Sequence, residues 1–197
     1  MKKDIFDEES GTTTTNRPHG GETPGTSRPG SDASKEEMMR RVQEAGTPGD
    51  SHQALQALEG DWNAEVHCLM DPGAQAEVHR GTATVQSILG GRFLEEEFHG
   101  EMMGKPFTGR GIFGYDNTKQ KFVSVWLDDM NTGIHVSEGR GDQENKVISL
   151  EGKSNCAATG QQDVPMGQII RVLSPDKHVV ELYNDGRKTM EITYTRA

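Results

Sequence analysis

From Asp61 onward the chain is punctuated about every ten residues by turn chemistry, and this rhythm constrains its fold more than any other feature. Segments of strand-like composition fall at 61–70, 76–88, 91–99, 106–115, 120–128, 132–140, 146–152, 166–174, 177–184 and 187–195. Between them stand Asp71-Pro72-Gly73, Gly90-Gly91, Asp116-Asn117, Ser174-Pro175-Asp176 and Asn184-Asp185-Gly186, each supplying a left-handed or preset φ. Connections this short leave no room for parallel crossovers, so sequential strands must run antiparallel. About ten such strands would leave exposed edges as an open sheet, and closure removes them. The predicted fold is all-β: a closed up-and-down antiparallel barrel of about ten strands.

The strand faces are mixed. In 121–128, Val123, Val125 and Leu127 share one face, while Phe122, Ser124, Trp126 and Asp128 share the other. In 92–99, Leu94 and Phe98 share a face with Glu96. A barrel of about ten strands is wide enough to enclose a cavity, whereas eight strands only just leave room for their own side chains. Mixed faces are what a partly wet lumen produces.

One or two short helices precede the strands. Ser34-Lys35-Glu36-Glu37 is a capping-box pattern that opens a helix through Met38, Met39, Val42 and Ala45. Gly46-Thr47-Pro48-Gly49 ends it, and Asp50 or Ser51 caps a second helix carrying Leu55 and Leu58 on one face. The strip Met38, Met39 and Val42 is expected to close one end of the barrel, the alternative being an exposed docking element. Residues 1–34 read differently: 18 of the 34 are Gly, Pro, Ser or Thr, a composition that buries too little surface to offset chain entropy. The expected organisation is a disordered low-complexity arm over 1–34 and one barrel domain over 35–197.

Charge excludes some functions. With 31 acidic against 21 basic residues and a net charge of −10, the chain repels phosphate backbones, so nucleic acid is not an expected partner. No run approaches the ~18 apolar residues of a membrane helix, so a bilayer span is not expected. Acids replace the apolar run of a signal peptide after Lys2-Lys3, making the cytoplasm the expected location. Cys68 and Cys156 form no motif and read as small buried thiols.

Gly60-Asp61-Trp62, following a short helix, resembles the Gly-x-Trp at the first strand of lipocalin-like barrels. That resemblance implies that Trp62 plugs one end of the barrel and that Arg196 on the terminal strand stacks across it. More closely, the chain resembles the bacterial family catalogued as domain of unknown function 1579. The resembling pieces are Thr47-Pro48-Gly49 with His52, Gly60-Asp61-Trp62, 88–96, 109–117, Val125-Trp126-Leu127-Asp128 and Tyr194-Thr195-Arg196. The resemblance implies a single barrel-like domain and carries over no reaction, cofactor or catalytic residue.

Three constellations could carry chemistry. Glu95, Glu97 and His99 alternate onto one face, and in a lumen two carboxylates near an imidazole would support acid–base work. Facing water, they are ordinary solvated charges. Trp126 with Asp128, flanked by Phe122 and joined by Tyr115, makes an aromatic wall with one carboxylate suited to a small molecule. The competing reading is a core Trp with Asp128 satisfied in the following turn. Glu65, His67 and His79 come nearest to a metal set, but alternate strand positions ~7 Å apart are wide for one ion, so neither metal nor other cofactor is expected. Gly109-x-Gly111-x-x-Gly114 spells a dinucleotide fingerprint, yet its flanks are strands with no helix to receive a pyrophosphate. These glycines instead ease close approach between strands. The expected function is binding of a small, partly apolar molecule in the lumen. The alternatives are an enzyme using Glu95, Glu97, His99 or Asp128, and an interaction protein; the oligomeric state is open.

Overall fold

The computed structural model describes residues 34–69, 76–156 and 159–197. Helix α1 (Lys35–Gly46) and the short helix α2 (Asp50–Leu55), which runs into a 3₁₀ turn (Gln56–Leu58), lead into ten strands. These are β1 (Gly60–Cys68), β2 (Glu77–Ile88), β3 (Phe93–Met102), β4 (Lys105–Asp116), β5 (Lys121–Asp128), β6 (His135–Gly141), β7 (Val147–Cys156), β8 (Gln161–Ser174), β9 (Lys177–Asn184) and β10 (Arg187–Arg196). Each strand pairs antiparallel with the one before it and β10 returns to β1, so the sheet closes into an up-and-down barrel. The arm expected over 1–34, Ser34 apart, and the Asp71-Pro72-Gly73 turn lie outside the described residues. Among the described residues, no helix is long and apolar enough to cross a membrane.

Turn chemistry places most strand ends. Leu89, Gly90 and Gly91 all have positive φ between β2 and β3, and Asp185-Gly186 is left-handed at both positions between β9 and β10, the backbone of a tight hairpin. In the β4–β5 turn the left-handed residue is Gln120, not Asn117. Asn117 acts through its side chain instead, whose Nδ2 donates to the Ala45 and Thr47 carbonyls and tethers the end of α1. Strands β7 and β8 run further than their apolar residues predict, through Lys153↔Pro165 and Ser154↔Val164. That extension lies beyond the first β8–β9 pair, Met166↔Asn184, so it is held by backbone pairing that needs no hydrophobic pattern.

Register assigns the inner wall. Residues directly opposite on neighbouring strands share a face. Trp62, Ala64 and Val66 of β1 are buried, and the pairings carry that face to Ala83 and Val85, to Leu94, Glu96 and Phe98, and onward around the barrel. One end is plugged. Leu55 and Leu58 are buried beside Trp62, whose indole Nε1–H donates to the Leu58 carbonyl at 2.9 Å. The Arg196 guanidinium lies over the Trp62 ring at 4.2 Å and donates to the Glu59 and Pro175 carbonyls. A side chain at Gly60, whose φ is +132°, would collide with that guanidinium.

The lid expected from Met38, Met39 and Val42 is not formed. They are 53%, 61% and 67% exposed, and no residue of α1 is buried. Ser34 caps the helix as expected, accepting from the Glu37 amide. The break at Thr47-Pro48-Gly49 and the Asn117 tether hold α1 away from the mouth, and α2 with its 3₁₀ turn closes the end instead.

Candidate functional site

The inner wall changes character along the barrel axis. At the plugged end it is closely packed: Leu94, Ile148 and Ile170 are about 2% exposed. Towards the other end the inward positions Trp126, Gln168, Leu182, Met190 and Ile192 are only half-buried. Being partly accessible while facing inward, they mark that half of the lumen as open.

The half-buried Trp126 lines this open half while Phe98 is buried against Phe107, and glycines decide how both rings lie. Phe98 packs over the paired glycines Gly81 and Gly100, where a Cβ would stand 2.6 and 2.9 Å from its ring. The Trp126 indole lies over Gly109 and Gly111; a Cβ at Gly109 would stand 2.6 Å from Cη2, and one at Gly111 3.3 Å from Cε3. Without side chains beneath them, both rings rest against the wall instead of crossing the lumen. Trp126 is further fixed by its Nε1–H donating to Asp128 Oδ2 at 3.0 Å. The other oxygen of Asp128 accepts from the Met130 amide and Asn131 Nδ2. Asp128 therefore serves the wall and the turn together, positioning the indole while capping the residues that follow.

The remaining wall candidates lie elsewhere. Phe122 is 3% exposed and packs edge-on against Tyr115 at 4.9 Å, while Tyr115 meets the buried His52 at 5.7 Å. Four residues separate Phe122 from Trp126 on one strand, about 13 Å, so Phe122 and Tyr115 belong to the plug.

Glu95, Glu97 and His99 lie on the outer wall. Glu97 pairs in register with Arg110, which reaches Glu97 at 3.0 Å and Glu95 at 3.4 Å, and His99 Nε2 lies 3.0 Å from Glu97. The face is set by Leu94, Glu96 and Phe98, which are buried and turn the intervening residues outward. The Glu65, His67 and His79 set is likewise divided by the wall: His79 pairs with inward-facing Val66, while His67 contacts Glu65 outside at 2.8 Å. Among the described residues no cluster could hold a metal ion.

Of the three consecutive glutamates, the one that faces inward is Glu96, 6% exposed, whose Oε1 accepts from the Tyr194 hydroxyl at 3.0 Å. Burial pushes its pKa up to about 7, with the Tyr194 hydrogen bond pulling the other way. His178, 5% exposed, stacks on Tyr194 at 4.3 Å and meets Trp62 edge-on at 4.4 Å. Burial and then the nearby Arg196 charge lower its pKa to about 4, so its ring is neutral at pH 7. The signal for Glu96 lay in the alternation with Leu94 and Phe98; His178 carried none, being an isolated histidine in a strand.

A family model described as "Protein of unknown function (DUF1579)" matches residues 47–196. Among solved structures, the crystal structure of Rv2717c from M. tuberculosis is similar with a TM-score of 0.58 at 17% identity, over 77% of this chain and 99% of that one. A de novo designed fluorescence-activating β-barrel matches with a TM-score of 0.43 at 15% identity, over 73% of this chain and 97% of that one. The likeness to Rv2717c, at 17% identity, is one of fold. No curated protein matches the chain.

Proposed function

The chain belongs to the DUF1579 family, and from the barrel it folds into we propose that it binds a small, partly apolar molecule in the open half of its lumen. One observation carries this reading: inward-facing Trp126, Leu182, Met190 and Ile192 are half-buried while residues such as Leu94, Ile148 and Ile170 at the plugged end are almost fully buried. Apolar surface that faces a concave interior and keeps contact with water is stabilised by whatever covers it. The chemistry of the wall favours a ligand with a flat apolar body to lie along Trp126. A hydrogen-bonding group on that ligand would meet Gln168 or His135, which is paired across from Trp126. Asp128 is committed to the indole and to its own turn, so it serves the wall by holding Trp126 in place.

The test is a panel of small amphiphilic molecules followed by thermal shift and tryptophan fluorescence. A ligand at ~100 times its Kd adds ~2.7 kcal/mol to stability and changes the emission of Trp126. A panel that moves neither the wild type's melting temperature nor its emission removes the proposal.

A further inference from the structure

Towards the plugged end the inner wall forms a cavity of about 20 Å³. Its walls include the apolar side chains Leu58, Phe113 and Ile170, together with Glu96, His178 and Tyr194. The volume accommodates one water-sized molecule, for which ~10–15 Å³ suffices. Most of its surface is apolar, but three hydrogen-bonding side chains, Glu96, His178 and Tyr194, reach its wall, and polar partners are what hold a buried water. Tyr194 and Glu96 satisfy each other through one carboxyl oxygen. His178 Nδ1 is fully enclosed and, among the described residues, is the one buried side-chain polar atom without a hydrogen-bond partner. Leaving a buried nitrogen unpaired is costly, so a site that keeps one exposes it to a partner.

We propose that this cavity is an internal binding site for one uncharged, water-sized hydrogen-bonding molecule, water itself in solution, held between the Glu96 carboxyl and His178 Nδ1. With it in place, Tyr194, Glu96, the guest and His178 form one continuous buried chain of hydrogen bonds. The guest must be neutral, because Glu96 and His178 face no buried counter-charge. Arg196 stands beside His178 but commits its guanidinium to Trp62 and to the Glu59 and Pro175 carbonyls. The elements packed against Glu96 contribute Leu58, Val85, Phe113, Trp126 and Ile170, none of which titrates, besides Tyr194 and His178. Around pH 6 Glu96 keeps its proton and His178 lacks one, so the acid O–H and the imidazole nitrogen are donor and acceptor for the same guest.

Water-oxygen magnetic relaxation dispersion counts long-lived internal waters in the intact chain. The expected result is one fewer in His178→Phe and one fewer in Val180→Ile, which adds a methyl group to the cavity wall. Infrared spectra at pH 6 supply a second reading that does not depend on His178→Phe folding. A neutral carboxylic-acid carbonyl band, absent from Glu96→Gln, shifts frequency in Val180→Ile as the guest's hydrogen bond is lost. An unchanged water count and an unshifted acid band in Val180→Ile would show the cavity to be dry and overturn the proposal.

Discussion

The Trp126 indole fills the space that a side chain at Gly109 would need, so a Cβ there would stand 2.6 Å from Cη2 of the ring. The glycine and the tryptophan are one feature: the first removes its side chain so that the second can lie along the wall.

Gly109→Ala is therefore expected to push the indole off the wall and into the open lumen. Strain of this kind costs about 1–3 kcal/mol, read as a lower midpoint in urea with an unchanged slope. The same substitution should weaken binding of any molecule that the wild type accepts. A variant that keeps both stability and affinity would show that the indole has room elsewhere.

Glu96 and His178 should give opposite pH dependences. Glu96 is raised from 4.5 to about 7, so the folded state holds a proton that the unfolded state has released, and its contribution is lost as pH rises from 4.5 through 7. His178 is lowered from 6.5 to about 4, so its contribution is lost as pH falls from 6.5 through 4. Each full change is worth about 3 kcal/mol, and between pH 4.5 and 6.5 the two slopes nearly cancel. Relative to wild type, Glu96→Gln should become more stable as pH rises through this window and His178→Phe less stable. Urea midpoints at pH 4.5, 5.5 and 6.5 measure both, and parallel curves for all three proteins would contradict the assignment.

Arg196→Ala removes the guanidinium over Trp62 and its bonds to two carbonyls. The expected loss is about 2 kcal/mol, the scale of one cation–π contact plus hydrogen bonds. Arg196→Lys should recover only part of it, since an ammonium cannot stack and fork at once. Chemical denaturation of the pair decides the point.

Removing residues 1–46 should cost under about 1 kcal/mol, because α1 buries no side chain and is tied to the barrel mainly through Asn117. Leu58→Ala, by contrast, opens the plugged end and should cost about 2–5 kcal/mol. Equal losses from the two changes would place α1 in the barrel closure after all.

Strand number, antiparallel order and the capping of α1 were legible because each depends on local chemistry: turn residues, alternation and a Ser-x-x-Glu spacing. Alternation also separated Val123, Val125 and Leu127 from Phe122, Ser124, Trp126 and Asp128, yet it could not say which set faced inward. The more uniformly apolar set is on the outside, with Leu127 42% exposed, and the mixed set is on the inside. That assignment comes from Gly111↔Trp126 and Glu96↔Gly111, pairings between strands whose register no single segment encodes. The same pairings turn Glu95 and Glu97 to solvent and Glu96 inward.

By itself the amino-acid order determined a ring of about ten hairpin-linked strands, with Trp62 on the first and Arg196 on the last, because turns and period-two patterns act over a few residues. Only the closed tertiary structure decided which side of that ring is the interior, where the lumen stays open, and that Glu96 and His178 line one cavity. Those outcomes depend on which residues become cross-strand neighbours once β10 meets β1, and burial exists only after that closure.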